Sequence, residues 1–193
     1  MEPTRFVVEE PRPVWRVAPD VDAALAPDFW APPQRRRSAA AAQGRQTFQA
    51  LVLRVAAAPG AGLFDALEGG VPTRMVGVIA QTLGESASAV MALLGVSLTT
   101  LRRKEEAGEP LPDVAGHRVM ALLRLVATLR RLLAESGDAQ ALAQFDLEAW
   151  VARWLRLPLP EMGGKTPAEL LRNPEGQRAL EQVLERMRGG LPA

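Results

Sequence analysis

Two textures of hydrophobic and polar positions divide the chain. Up to about Gly44 the apolar residues keep no sustained period, and prolines interrupt them at positions 3, 11, 13, 19, 27, 32 and 33. That pattern predicts an extended or disordered arm, with Trp15, Phe29 and Trp30 as its apolar points and Arg35-Arg36-Arg37 as a basic cluster. Beyond Gly44 the spacing turns helical. Phe48, Leu51, Val52 and Val55 fall at i, i+3, i+4 and i+7, one face of a helix that Pro59-Gly60 ends. A short helical turn is expected over Leu63 to Leu67. Pro72 then opens a helix with Met75, Val76, Ile79 and Leu83 on one face and Gly84 at its close.

The stretch ESASAVMALLGVSLTTLRRKEEAG, residues 85–108, has the layout of a helix-turn-helix. Ser86 or Ser88 is placed to cap a first helix carrying Val90, Met91, Leu93 and Leu94. Gly95 permits a left-handed turn, and Ser97 caps a second helix with Leu98 and Leu101 facing inward. In such a unit the N-terminal part of the second helix enters the major groove, so Ser97, Thr99, Thr100, Arg102, Arg103 and Lys104 are the candidate DNA contacts. Two features oppose this reading. Met91 stands four residues before the turn glycine, where these units usually carry a small residue, and Glu105, Glu106 and Glu109 dilute the basic field facing phosphates.

The longest helical pattern runs from Asp113 to about Glu135. Val119, Leu122, Leu123, Val126, Leu129 and Leu133 give the 3.6 period, while Leu125 and Leu132 widen the apolar face. A helix this apolar is expected between two layers or at a subunit interface, with Arg130-Arg131 favouring its C-terminus and Gly137 capping it. Next, FDLEAWVARWL sets Leu147, Trp150, Val151 and Trp154 on one face, an aromatic stripe that reads as core. Thr166-Pro167 and Asn173-Pro174 each place a cap residue before a proline at the first helical position. The last helix carries Ala179, Leu180, Val183, Leu184 and Met187 on one stripe and stops at Gly189-Gly190.

Gly164-Lys165-Thr166 resembles the end of a phosphate-binding P-loop, which would make this a nucleotide-dependent enzyme. The glycine required five positions earlier is Leu159, and the prolines at 158 and 160 argue against the preceding strand. The competing use is a capping box, with Thr166 as N-cap, Pro167 at N1 and Glu169 at N3, entered through a Gly163-Gly164 turn.

Composition narrows the remaining chemistry. At 193 residues the chain can bury a real core, and with no cysteine it offers neither a disulfide nor a thiolate metal site. His117 is the single histidine, placed for a helix surface or core edge, so no metal site and no catalytic residue is assigned. The net charge of +1 makes no case for nucleic acid; any basic surface must be local. No apolar run reaches the roughly 18 residues of a membrane span, and the acidic, proline-broken start is unlike a secretory signal, so a cytoplasmic protein without a membrane partner is expected.

The second half resembles a known family. Trp154-Leu155, then Met162-Gly163-Gly164 with Thr166-Pro167 and Leu170-Leu171, then Glu175-Gly176, and finally Val183, Leu184, Arg186 and Gly190 look like the toxin-binding domain of Xre/MbcA/ParS-type antitoxins. Upstream, a helix-turn-helix followed by a helix after a Pro-Leu turn is similar to the Xre-like half of that family. The resemblance implies a non-enzymatic antitoxin of a type II toxin-antitoxin system, with no cofactor. It would bind a RES-domain toxin that degrades NAD or uses it for ADP-ribosylation and cover that toxin's active site. It would also form a homodimer within a larger complex, and many members repress their own operon by binding operator DNA. By position, the toxin contacts fall on Glu185, Arg186, Arg188, Gly189, Gly190 and Leu191. A stand-alone helix-turn-helix regulator without a toxin partner is the alternative.

The expected fold is therefore all-α, a helical N-terminal Xre-like helix-turn-helix domain followed by a small helical toxin-binding domain. The expected divisions are an arm at 1–45, the helix-turn-helix domain at 46–112, a linking helix at 113–137 and the toxin-binding domain at 138–193.

Overall fold

The computed structural model describes residues 40–135 and 145–188, and no strand is found among them beyond one isolated bridge between Leu159 and Lys165. In chain order the helices are α1 (Ala40–Ala57), α2 (Gly60–Glu68), α3 (Met75–Leu83), α4 (Ala87–Leu94), α5 (Leu98–Glu106) and α6 (Asp113–Glu135). The C-terminal part holds α7 (Leu147–Trp154), a 3-10 turn (Pro160–Met162), α8 (Pro167–Leu170) and α9 (Pro174–Arg188). The fold is all-α. The prolines of the first residues and the expected cap at Gly137 lie outside the described residues.

Helix α6 is the axis of the molecule. Ala115, Gly116, Val119, Met120, Leu122, Leu123, Leu125, Val126 and Leu129 are all buried along it, too wide a stripe for one neighbour. It packs on α1, α2 and α4 on one side and on α9 on another, the two-layer position its apolar breadth predicts. Helix α1 lies on α3, which in turn contacts α4 and α7. Phe48, Leu51, Met75, Ile79, Leu94, Leu122, Leu123, Leu171, Leu180 and Leu184 are fully buried, so one apolar cluster extends from the first described helix to the last.

Two expectations about helix ends need correction. Helix α1 starts at Ala40, upstream of Gly44, which is buried inside it. A Cβ at Gly44 would stand 2.2 Å from the Gln81 side-chain oxygen, so this glycine marks where α3 approaches the helix rather than where the helix begins. Arg130 and Arg131 do not serve the C-terminus of α6, whose last turn holds no basic residue. Arg130 Nη1 approaches Glu148 at 3.8 Å, and Arg131 meets Glu135 at 3.3 Å and Glu185 at 3.1 Å. Among the described residues no single helix is long and apolar enough to cross a membrane.

Candidate functional site

Two surfaces carry the candidate chemistry, the α4–α5 unit and the end of α9. At the first, Ser86 caps α4 by accepting from the Ala89 N–H at 3.1 Å. Gly95 closes that helix at φ +70°, in the left-handed region that favours glycine. Ser97 then caps α5, its hydroxyl oxygen accepting from the Thr100 N–H at 3.1 Å and lying 2.9 Å from the Thr100 hydroxyl. Met91 is half-buried against the core, so the turn forms with methionine where a small residue was expected.

The six predicted DNA contacts separate into two groups. Ser97 and Thr100 use their hydroxyls on each other and on the helix start. Lys104, half-buried, donates to Glu109 at 2.7 Å, and that bond is the main cause holding the Glu109 carboxyl below its ordinary range. Thr99, Arg102 and Arg103 are exposed. Leu98 is the clear correction. Expected to face inward, it is 50% exposed, whereas Leu101 is buried. The physical reason is the staple across the cap: buried Val96 just before Ser97 and Leu101 at the fourth helical position fill the core contact, which leaves the first helical residue outside.

In the C-terminal part, Asp146 caps α7 by accepting from the Ala149 N–H at 3.0 Å; that bond first, and then Arg45, hold its carboxyl below the usual carboxylate range. Leu147, Val151 and Trp154 are buried, while Trp150 is half-buried and stacks on Trp154 with ring centroids 5.5 Å apart. The Gly-Lys-Thr triplet forms no phosphate cradle. Gly163 and Gly164, at φ +64° and +77°, close a tight turn bridged from Leu159 to Lys165. The Thr166 hydroxyl accepts from the Glu169 N–H at 3.2 Å while the Glu169 carboxylate accepts from the Thr166 N–H at 2.8 Å. The latter bond is the first cause lowering the Glu169 carboxyl, and the pair is the predicted capping box.

Asn173 repeats the device at α9, accepting from the Gly176 N–H at 2.9 Å. Leu180, Val183 and Leu184 are buried, and Arg178, Glu181, Gln182 and Glu185 are exposed, with Arg186 half-buried. Of the six residues assigned to toxin contact, Glu185 is tied to Arg131 within the same chain. Arg186 borders the same outer face, Arg188 ends α9, and Gly189, Gly190 and Leu191 lie outside the described residues.

Between the two surfaces run side chains that sequence reasoning missed. Glu148, 5% exposed, accepts from Gln49 Nε2 at 3.0 Å and faces Arg130. Arg156, just past α7, pairs with Glu85 just before α4. Arg118 on α6 donates to the Arg172 carbonyl from Nη2 at 3.1 Å and Nε at 3.3 Å. The same guanidinium occupies the space beside Gly95, where a Cβ would meet its Nη1 at 2.1 Å. No local spacing signals any of these pairs, because their partners lie far apart in the chain.

Comparison with known proteins matches the two parts of the chain that carry these surfaces. The profile of the antitoxin Xre-like helix-turn-helix domain matches residues 63–124, spanning most of α2, all of α3, α4 and α5, and the first half of α6. The profile of the antitoxin Xre/MbcA/ParS C-terminal toxin-binding domain matches residues 139–190, spanning α7, α8 and α9. The chain belongs to the Xre/MbcA/ParS antitoxin family. Among curated proteins, the Prs ADP-ribosylating antitoxin of Sphingobium sp. (strain YBL2) is similar to this chain, 34% identical over 97 residues. That match covers 50% of this chain and 59% of the relative, so the chain spans less than two thirds of the relative's length. No solved structure matches. Within the family's layout, the Gly-Gly-Lys-Thr-Pro stretch is the turn that docks α8 against α7, through the Ala168 N–H donating to the Leu155 carbonyl at 3.0 Å.

Proposed function

We propose that this antitoxin binds a cognate toxin through the end of α9 and the chain that follows it, and neutralises the toxin by covering its active site. The observation that carries the reading is the toxin-binding profile over 139–190, which encloses an α9 whose outer face is charged and whose inner face buries Leu180, Val183 and Leu184. The toxin is of the RES type and uses NAD; the relative named for ADP-ribosylation supports that class. Arg186 and Arg188 suit an entrance built for an anionic dinucleotide, since a guanidinium fork pairs with phosphate and carboxylate groups. Glu185 has a second role, steadying α9 against Arg131 of α6.

The α4–α5 unit gives the antitoxin a second reading as a repressor of its own operon. Its support is the helix-turn-helix profile together with the exposed Thr99, Arg102 and Arg103. On this reading the chain works in the cytoplasm as a dimer within a larger toxin complex, and residues 46–112 and 138–193 are its DNA-facing and toxin-facing parts, joined by 113–137.

Deleting residues 186–193 tests the main reading. The truncated chain is expected to keep its helical circular dichroism and to lose both co-purification with the toxin encoded beside it and protection of cells producing that toxin. Full protection by the truncated chain would show that the end of α9 does not cover the active site.

A further inference from the structure

We infer that Leu98 reads the 5-methyl group of a thymine in the major groove, with Arg102 reading a guanine close by on the same duplex. The inference rests on the operator-binding reading and adds which side chains discriminate between bases. The cap removes Ser97 and Thr100 from base reading, since their hydroxyls are bonded to each other, and Lys104 is held by Glu109. What remains outward on the first two turns of α5 is Leu98, Thr99, Arg102 and Arg103, with Glu105 and Glu106 exposed only at its C-terminal end.

Leu98 has no task in the core. Val96 and Leu101 make the apolar contact across the cap, and Leu98 stands half exposed at the tip of the helix that a helix-turn-helix presents to DNA. The apolar feature that base edges offer in the major groove is the thymine methyl, and the bidentate acceptor pair that suits arginine is guanine O6 with N7. Residues 98 and 102 are four apart and so share one face of α5. At 1.5 Å per residue they are separated by about 6 Å along the axis, against about 3.4 Å per base pair, so a helix lying along the groove sets their targets about two steps apart.

The test uses the full-length chain to select duplexes from a random-sequence pool at low salt. The selected sites are expected to place a thymine about two steps from a guanine. Replacing that thymine with uracil removes only the methyl group and should weaken the unsubstituted protein about fourfold, the effect of losing one methylene-sized apolar contact. Leu98→Ala, which alters an exposed position and should melt at the same temperature as the parent, is expected to bind thymine and uracil duplexes equally. Selected sites that the unsubstituted protein binds equally well with either base would overturn the assignment to Leu98 while leaving operator binding in place. Failure to select any duplex would remove operator binding itself, and the assignment with it. If Leu98→Ala changes the oligomeric state but keeps discrimination against uracil, Leu98 is a contact between copies of the chain and the assignment also falls.

Discussion

At Gly176 the first turn of α9 runs against the end of α8, and a Cβ there would stand 2.0 Å from the Leu170 carbonyl oxygen and 2.7 Å from its carbon. The contact is with backbone, which cannot rotate away as a side chain can. Gly176→Ala must therefore push the two helices apart, at a cost expected to be about 2 kcal/mol, within the range for overpacked sites. Urea denaturation measures it, and affinity for the toxin should fall with it because α9 shifts. Unchanged stability would mean that α8 and α9 separate without cost. Residues of this kind are legible to different degrees. Thr166, Pro167 and Glu169 could be read as a cap because all the partners lie within four positions. Gly176 could be read only as one letter of a family motif, since the atom that requires it belongs to another helix.

Helix α5 was legible as an element and only partly as a surface. The serine cap, the turn glycine and the run of basic residues are local signals, and each lies where the spacing places it. Periodicity failed at Leu98 because it says which residues share a face, not how far the covering layer extends; here the layer ends at Leu101. The same limit hid the bond from Lys104 to Glu109, which takes one of the predicted contacts out of the basic face. Arg103 remains exposed, and on the operator-binding reading it would meet a phosphate. Arg103→Ala is expected to weaken binding of all selected duplexes alike and to reduce the slope of log affinity against log salt by about 0.9, the share of one phosphate contact. Altered base preference with an unchanged slope would instead make Arg103 a base-reading residue.

At the scale of the whole molecule, the all-α character of the described residues and the two-part order could be read from the sequence, but the joint between the parts could not. Its elements are the Arg45–Asp146 pair at 3.1 Å, the Gln49–Glu148 bond, the Glu85–Arg156 pair and Arg118 on the Arg172 carbonyl. Each of these links residues some 50 to 100 positions apart across a continuous apolar cluster. The surface pairs among them contribute little individually, about 0–1 kcal/mol, so the cluster beneath them holds the joint. Residues 138–193 produced alone would expose Val151, Trp154 and Leu155, which the intact chain buries. That fragment is expected to show no cooperative thermal transition, whereas the full chain melts in one step. A sharp transition in the fragment would establish the C-terminal part as a folding unit in its own right.

Glu148 sets a limit on how such a chain can be recombined. Its carboxylate is buried, and the groups that satisfy it, Gln49 and Arg130, come from α1 and α6. Transplanting residues 139–190 onto another helix-turn-helix would carry a buried charge into a core without its partners, a mismatch of the kind that costs several kcal/mol. Exchange of toxin specificity between such antitoxins therefore has to move a discontinuous block, with α1 and the second half of α6 travelling together with α7.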